Sequence, residues 1–329
     1  MRAAVCATYG PPEVVQPDDI SSPAGPGPGQ VRVRVRAAAV NFPDVLMVAN
    51  EYQVKVPLPF VPGSELAGEV IEVADDVTDL VAGDRVFGTT LVGAFAEEAV
   101  LPASSLTRIP PGVDGHHAAA FGVAHRTAYH TLRSVAGVHP DEELIVLGAG
   151  GGVGLAAVQV GVVLGASVTA VASSAEKLEV ARANGARALI NHRAGDLRQA
   201  LRDALPGGAD AVIDPVGGDL AEPALRSLHW GGRFVTVGYA SGVIPRIPLN
   251  LVLLKGVHIL GFDFRDFASH LPEDLRRNEE ELMKLLAAHQ VTPHIGAAFA
   301  LGDAAAALRY VADGRAIGKV VLDVAGPGD

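Results

Sequence analysis

The chain has 329 residues, a formal net charge of −11 and a single cysteine, Cys6. The acidity argues against a nucleic-acid or anionic-membrane surface, and one cysteine excludes both an internal disulfide and a multi-cysteine zinc site while fitting a reducing compartment. This length implies two domains, and 49% hydrophobic with 19% charged residues is an ordinary globular composition.

Residues 1–15 are expected to form a hairpin turning at Gly10-Pro11-Pro12, and no apolar core long enough for a signal peptide is present, so a cytoplasmic protein is expected. Residues 21–29 form a Pro/Gly loop. Residues 30–36 alternate Val and Arg with period two, a strand whose Arg32, Arg34 and Arg36 face solvent. Residues 37–44 lead into a short helix, Tyr52 follows, and strands are expected within 63–73, 81–87 and 93–100. This first third is rich in strands and turns, and the composition shifts near residue 120. A helical pattern then covers 118–136.

The most informative stretch is 143–177. Leu144 to Leu147 reads as a strand buried on both faces. It breaks into Gly148-Ala149-Gly150-Gly151-Gly152-Val153-Gly154, apolar residues continue at helical spacing to Leu164, and 167–172 reads as a second strand. Strand, glycine turn, helix and strand make a βαβ unit. Residues 144–175 carry no charge and could span a bilayer by length, but the glycine cluster and the Ser/Thr-bearing second strand point to a buried βαβ instead. A pyrophosphate can sit on a helix N-terminus only where the backbone turns tightly and no Cβ blocks its approach. The literal G-x-G-x-x-G is absent; the spacing is Ala149-x-Gly151-x-x-Gly154, with Gly148 three residues before Gly151. In this βαβ context the turn is expected to bind a dinucleotide.

Enzymes selective for NAD place an acid about 20 residues beyond this turn, bonded to the ribose 2′-hydroxyl. Here the second strand ends at Ala172-Ser173-Ser174, with Lys177 close behind. Hydroxyls and an ammonium suit a 2′-phosphate, so NADPH is expected as cofactor. An ordinary helix start, with Ser174 as N-cap and Glu176 and Lys177 on a solvated face, is compatible with the same residues.

Strands at 188–190, 211–214, 232–238 and 257–262 alternate with helices at 196–205 and about 220–228, the pattern of a doubly wound parallel sheet. Helices at 273–288 and 304–312 and a strand at 318–323 close the chain and are expected to rejoin the first domain. The expected fold class is α/β.

The segments AAAVNFPDVL (37–46), VPGSELAGEV (61–70), VAGDRVFG (81–88), TAYHTL (127–132), GAGGGVG (148–154), ASSAEK (172–177) and IGKVVLDV (317–324) occur in the order seen in medium-chain dehydrogenase/reductases. The chain resembles most the zinc-free NADPH:quinone oxidoreductases, which include zeta-crystallin, and the resemblance covers essentially its whole length. It implies a GroES-like catalytic domain from 1–122, a Rossmann NADPH-binding domain at 123–264, and a segment 265–329 rejoining the first, with the active site in the cleft. It also implies a homodimer formed through the Rossmann sheets.

Zinc enzymes of this superfamily place a Cys and a His ligand where this chain has Asn41 and Ser64, and they carry a four-cysteine lobe that is missing here. An amide and a hydroxyl do not replace thiolate or imidazole, so no catalytic metal is expected. None of His116, His117, His125, His130 or His192 falls in those motifs.

By resemblance, Asn41, Tyr52 and Thr127 line the nicotinamide and substrate end. Asn41 would hold a ribose hydroxyl or substrate oxygen, and Tyr52 would donate to a developing enolate or phenolate, unless it is a loop aromatic. Gly150, Gly151, Gly152 and Val153 would meet the pyrophosphate. Ser173, Lys177 and His192 match the 2′-phosphate cluster, and Gly238, Tyr239, Phe262 and Phe264 would meet the nicotinamide amide through backbone groups. Arg126 stands where relatives often carry an apolar residue, and Lys319 matches the family's terminal Gly-Lys. The implied activity is reduction of quinones by hydride or stepwise electron transfer from NADPH. Reduction of an enone or enoyl-thioester is the alternative, and a non-catalytic NADPH-binding or RNA-associated protein is an alternative of another class. The partner expected is a small molecule, with no nucleic acid and no membrane.

Overall fold

In the computed structural model, which describes residues 1–324, the chain divides into two compact units. The first comprises Met1–Val123 together with the chain from Thr292, and the second is Ala124–Val291.

In the first unit β1 (Arg2–Cys6) pairs antiparallel with β2 (Val15–Asp19), so the hairpin expected within residues 1–15 is present, but its second strand begins only at Val15. The next strand, β3 (Gln30–Val40), outruns the alternating Val-Arg segment because Ala37, Ala38, Ala39 and Val40 are all buried. Helix α1 (Phe42–Val48) starts on Asn41, with Asp44 completing a capping box. It is followed by β4 (Glu65–Val73), β5 (Arg85–Thr89), β6 (Glu98–Pro102), β7 (Leu106–Arg108) and α2 (Gly115–Ala119). The helix expected over 118–136 is in pieces: α2, then α3 (Gly122–His130), then one π-helical stretch, Thr131–Val135. The break falls where Phe121 packs edge-on against Phe87, with centroids 6.0 Å apart.

The second unit runs β8 (Glu143–Leu147), α4 (Gly152–Val163), β9 (Ser167–Ala172), α5 (Ala175–Ala183), β10 (Ala188–Asn191) and α6 (Leu197–Ala204). It continues with β11 (Ala209–Asp214), α7 (Ala221–Arg226), β12 (Leu228–Thr236), α8 (Leu249–Lys255) and β13 (His258–Gly261). Among the described residues these six strands form one sheet in the order β10-β9-β8-β11-β12-β13, every neighbouring pair parallel. The order reverses between β8 and β11, the switch point at which ligands of such sheets bind. Leu144, Ile145, Val146 and Leu147 are fully buried, each removing a side chain from water at about 1.5–3 kcal/mol.

Two further helices, α9 (Phe264–His270) and α10 (Pro272–Ala287), belong to this unit, so the return to the first unit comes at Thr292 and not at residue 265 as the sequence reading had it. The physical reason is a polar seam. Glu279 of α10 accepts from Arg126 Nε (2.9 Å) and from His130 Nε2 (3.0 Å), and Asn278 Nδ2 donates to Ser134 Oγ (2.9 Å).

After the return, β14 (Ile295–Ala300), α11 (Ala304–Ala312) and β15 (Lys319–Asp323) complete a seven-stranded sheet ordered β14-β15-β3-β4-β5-β7, with β6 on β3. No helix among the described residues is long and apolar enough to cross a membrane.

Candidate active site

The glycine turn of the second unit is built by close contact. Gly148 has φ +62°, a conformation that favours glycine. A Cβ on Gly154 would overlap the Gly148 carbonyl oxygen and come 2.6 Å from its carbon, so α4 can lie this close to the turn only with glycine there. At Gly150 a Cβ would meet Lys177 Cβ at 2.5 Å and Cγ at 2.6 Å: the Lys177 stem lies directly over the turn. Gly151 is the N-cap of α4, and Gly152 and Val153 open its first turn, where backbone N–H groups have no helical partner and present a positive end.

Beside this turn β9 and β10 bring a group of basic side chains together. Ser174 caps α5 through its hydroxyl, which accepts from Lys177 N–H at 3.3 Å, as the helix-start reading expects. Burial and the Arg193 guanidinium hold the Lys177 ammonium below its usual range. Burial, Arg193 and Lys177 do the same to His192. Like charges depress one another in this way only when they converge. Ser173 is half-buried at the end of the same strand. Arg193 is the member that the sequence reading left out; its position next to His192 was the available signal.

The same edge of the sheet carries Asp214 at the end of β11. Its Oδ1 accepts from the N–H groups of Val216 and Gly217, at 2.8 Å each, and burial pushes its carboxyl up. Asp214 Oδ2 and, in register on β12, Thr236 Oγ1 are buried oxygens without a hydrogen-bond partner among the described residues. Gly238 and the exposed Tyr239 follow β12, and Phe262 and Phe264 follow β13. Both phenylalanines pack around His130, with Phe262 stacked at 6.3 Å and Phe264 tilted at 5.6 Å. His130 is fully buried and held by Glu279 and by Asn278 Nδ2 (3.1 Å), so α3 and α10 jointly fix the segment after β13. Thr127 lies half-buried on α3, and the Arg126 guanidinium is tied to Glu279.

In the first unit Asn41 lies inside a buried polar network. Its Nδ2 donates to Glu65 Oε1 (3.0 Å) and Ser64 Oγ (3.3 Å), and its Oδ1 accepts from Lys319 Nζ at 2.6 Å. Lys319 also ion-pairs with Glu65, whose Oε2 accepts from Val123 N–H at 2.8 Å. Both amide hydrogens of Asn41 are therefore taken, and the residue is 7% exposed. In this geometry the Asn41 amide is bonded to Ser64, Glu65 and Lys319. Tyr52 is half-buried and packs against the core of the first unit. Lys319 joins the strand end of β15 to residues 278 positions earlier, which no local pattern reveals.

Asp44, fully buried, belongs to the same network and accepts the Asn41 N–H at 2.7 Å. Burial raises its carboxyl to about 7, against an ordinary value of 3.8. In the window between these values the folded chain keeps a proton that the unfolded chain gives up. Stability should therefore fall as pH rises from about 4 to about 7 and level off above. Asp44→Asn, which keeps the cap acceptor, should flatten that fall in urea titrations taken across the window. An unchanged pH profile would mean Asp44 is ionised throughout.

Among the described residues no group of three or more His, Cys, Asp or Glu side chains is placed to hold a metal ion.

The two units match two family models: residues 27–111 the alcohol dehydrogenase GroES-like domain, and residues 152–287 the zinc-binding dehydrogenase. The quinone oxidoreductase-like protein 2 homolog of Nematostella vectensis is 36% identical over 98% of this chain and 88% of its own length. A quinone oxidoreductase of Pseudomonas aeruginosa is 34% identical over 96% of this chain and 97% of its own. Among solved structures, Escherichia coli quinone oxidoreductase complexed with NADPH superposes with a TM-score of 0.91 at 28% identity, covering 98% of this chain and all of that one. A GroES-like unit carrying a separate parallel sheet with a glycine turn at its switch point defines an oxidoreductase of the medium-chain type. The chain belongs to the medium-chain dehydrogenase/reductase family, in its quinone oxidoreductase branch.

Proposed function

We propose that this protein is an NADPH-dependent quinone reductase that works without zinc. The observation that carries the cofactor assignment is the convergence of Lys177, His192 and Arg193 beside the glycine turn, with no carboxylate at the end of β9. A 2′-phosphate there would receive charge-assisted hydrogen bonds that the bare 2′-hydroxyl of NADH cannot match. The relative solved with NADPH supports the same choice. Gly150, Gly151, Gly152 and Val153 would hold the pyrophosphate on the first turn of α4. Gly238, Tyr239, Phe262 and Phe264 would meet the nicotinamide amide through backbone groups, with His130 and Glu279 keeping the last two in place. When bound, the cofactor supplies a hydride, and this chain's part is to orient the acceptor and stabilise the oxygen that gains charge. The Thr127 hydroxyl, on the same unit as the glycine turn, is the group we assign to that end.

Zinc independence is supported by donor chemistry. Asn41 and Ser64 offer no thiolate or imidazole, and the cation bonded to Asn41 is the Lys319 ammonium.

The test is the rate of cofactor oxidation, followed by nicotinamide absorbance, with phenanthrenequinone and with an enone, using NADPH and NADH in parallel. Turnover of the quinone with NADPH preferred is expected. Lys177→Ala should raise KM for NADPH about tenfold or more and leave NADH nearly unchanged, as expected for losing one charge-assisted contact. Turnover of the enone alone would move the enzyme to double-bond reduction; equal rates with NADH would sink the 2′-phosphate assignment.

We also propose a homodimer through β13. This edge strand bonds only to β12 among the described residues, and nearby Trp230, Leu249, Leu253 and Leu254 are 72–82% exposed. Apolar groups this exposed beside an open strand edge call for a partner. Sedimentation should give twice the chain mass, and Leu253→Glu should shift the protein toward monomer. A wild-type monomer at assay concentration would rule the dimer out.

A further inference from the structure

A second concentration of positive charge lies at the other end of the parallel sheet. The glycine turn leaves the C-terminal end of β8, whereas the segments that enter β11 and β12 meet at the opposite edge. There a cavity of about 260 Å³ is lined by Arg198, Arg202, Arg226, His229 and Lys255, with Gly207 and Gly208 in its wall.

Few carboxylates answer these cations. Glu222 pairs with Arg226 at 2.7 Å and Asp210 with His229 at 2.7 Å. Among the described residues Arg198, Arg202 and Lys255 have no carboxylate partner. Arg202 Nη1 donates to Gln199 Oε1 (3.3 Å), and Lys255 Nζ donates to the Arg226 carbonyl (2.8 Å). Burial and the charges of Arg198 and Arg226 hold the Lys255 ammonium below its usual range.

Part of this charge answers the ends of helices. Arg202, Arg226 and Lys255 stand in the last turns of α6, α7 and α8, each of which presents about half a negative charge. Three half charges and Glu222 leave the four full cations in excess, in a chain whose net charge is −11. An excess gathered around a cavity, against the mutual repulsion felt at Lys255, is stabilised by a bound anion.

We propose that this cavity binds a small phosphate-bearing anion, at a site separate from the glycine turn. Two guanidinium groups without carboxylate partners and one ammonium match a doubly charged phosphate or pyrophosphate group, which accepts several charge-assisted hydrogen bonds at once.

Titration calorimetry of the full-length protein with inorganic pyrophosphate tests this. Saturable, salt-sensitive binding is expected, retained in Lys177→Gln and weakened about tenfold or more in the double variant Arg198→Gln/Lys255→Gln. The proposal is overturned if wild type shows no saturable binding, or if Lys177→Gln alone abolishes it, which would assign the anion to the glycine turn. It is equally overturned if the double variant melts earlier yet binds pyrophosphate as tightly as wild type, because the cations would then serve only the helix ends. Should the double variant fail to fold, Arg198→Gln, a change to an exposed side chain, carries the same expectation of weakened binding.

Discussion

Replacing Lys319 with methionine should lower the stability of the protein by about 3–5 kcal/mol, the cost of leaving one partner of a buried ion pair alone. The ammonium is 4% exposed and Glu65 is 1% exposed, so neither charge can turn to water when the other is removed. Methionine keeps most of the side-chain volume, which makes the charge and not a cavity the quantity being tested. After the change Glu65 would retain, among the described residues, the Asn41 amide and the Val123 N–H as donors. Asp44, whose raised carboxyl the Lys319 charge partly offsets, would become a second buried acid without a nearby cation. Urea unfolding followed by circular dichroism reads the loss directly. Adding Glu65→Gln to Lys319→Met should recover part of it, because the buried unpaired charge is removed, although the single amide oxygen can accept from only one of Asn41 and Val123. A loss below about 1 kcal/mol, typical of an exposed pair, would show that the network is solvated in solution.

Gly154→Ala is the second large effect. A methyl group at this position overlaps the Gly148 carbonyl oxygen, and both partners are backbone, so no rotamer change relieves the clash. Either α4 backs away from β8, opening the turn, or Gly148 is forced out of its left-handed conformation. Overpacking of this kind costs about 1–3 kcal/mol and occasionally more. If the turn holds the pyrophosphate, NADPH affinity should fall about tenfold or more alongside stability, because the N–H groups of the first turn no longer converge. Fluorescence titration of NADPH reads the affinity and thermal melting the stability. Gly115→Ala, at a helical glycine with open space around it, serves as the control and should leave both unchanged. Wild-type NADPH affinity in Gly154→Ala would detach the turn from cofactor binding.

The parts of this protein legible in its sequence are those set by local spacing. Strand β9 and helix α11 are found where the sequence reading put them, at 167–172 and 304–312, because each carries its own period and its own boundaries. The βαβ unit around the glycine turn was equally legible, since its glycines, its apolar helix and the missing acid at the end of β9 all lie within 35 residues. The same locality explains what was missed. Strand β14 is made largely of glycine and alanine, which give no β-branched signal; it exists because β15 lies beside it as a template. Helices α9 and α10 read as part of a returning tail until Glu279 and Asn278 were seen bonded to α3 and Ser134.

For the candidate site, residue types were legible in the sequence: glycines at the turn, basic side chains after β9 and β10, and an amide and a hydroxyl where zinc relatives carry ligands. How those groups are engaged follows from the packing of the fold. It committed Asn41 to Lys319 and Glu65, added Arg193 to the Lys177 and His192 cluster, and packed Phe262 and Phe264 around a buried histidine. The reason is that burial and convergence depend on residues brought together by strand pairing, and a pattern spanning a few helical turns contains no information about a partner 278 positions away.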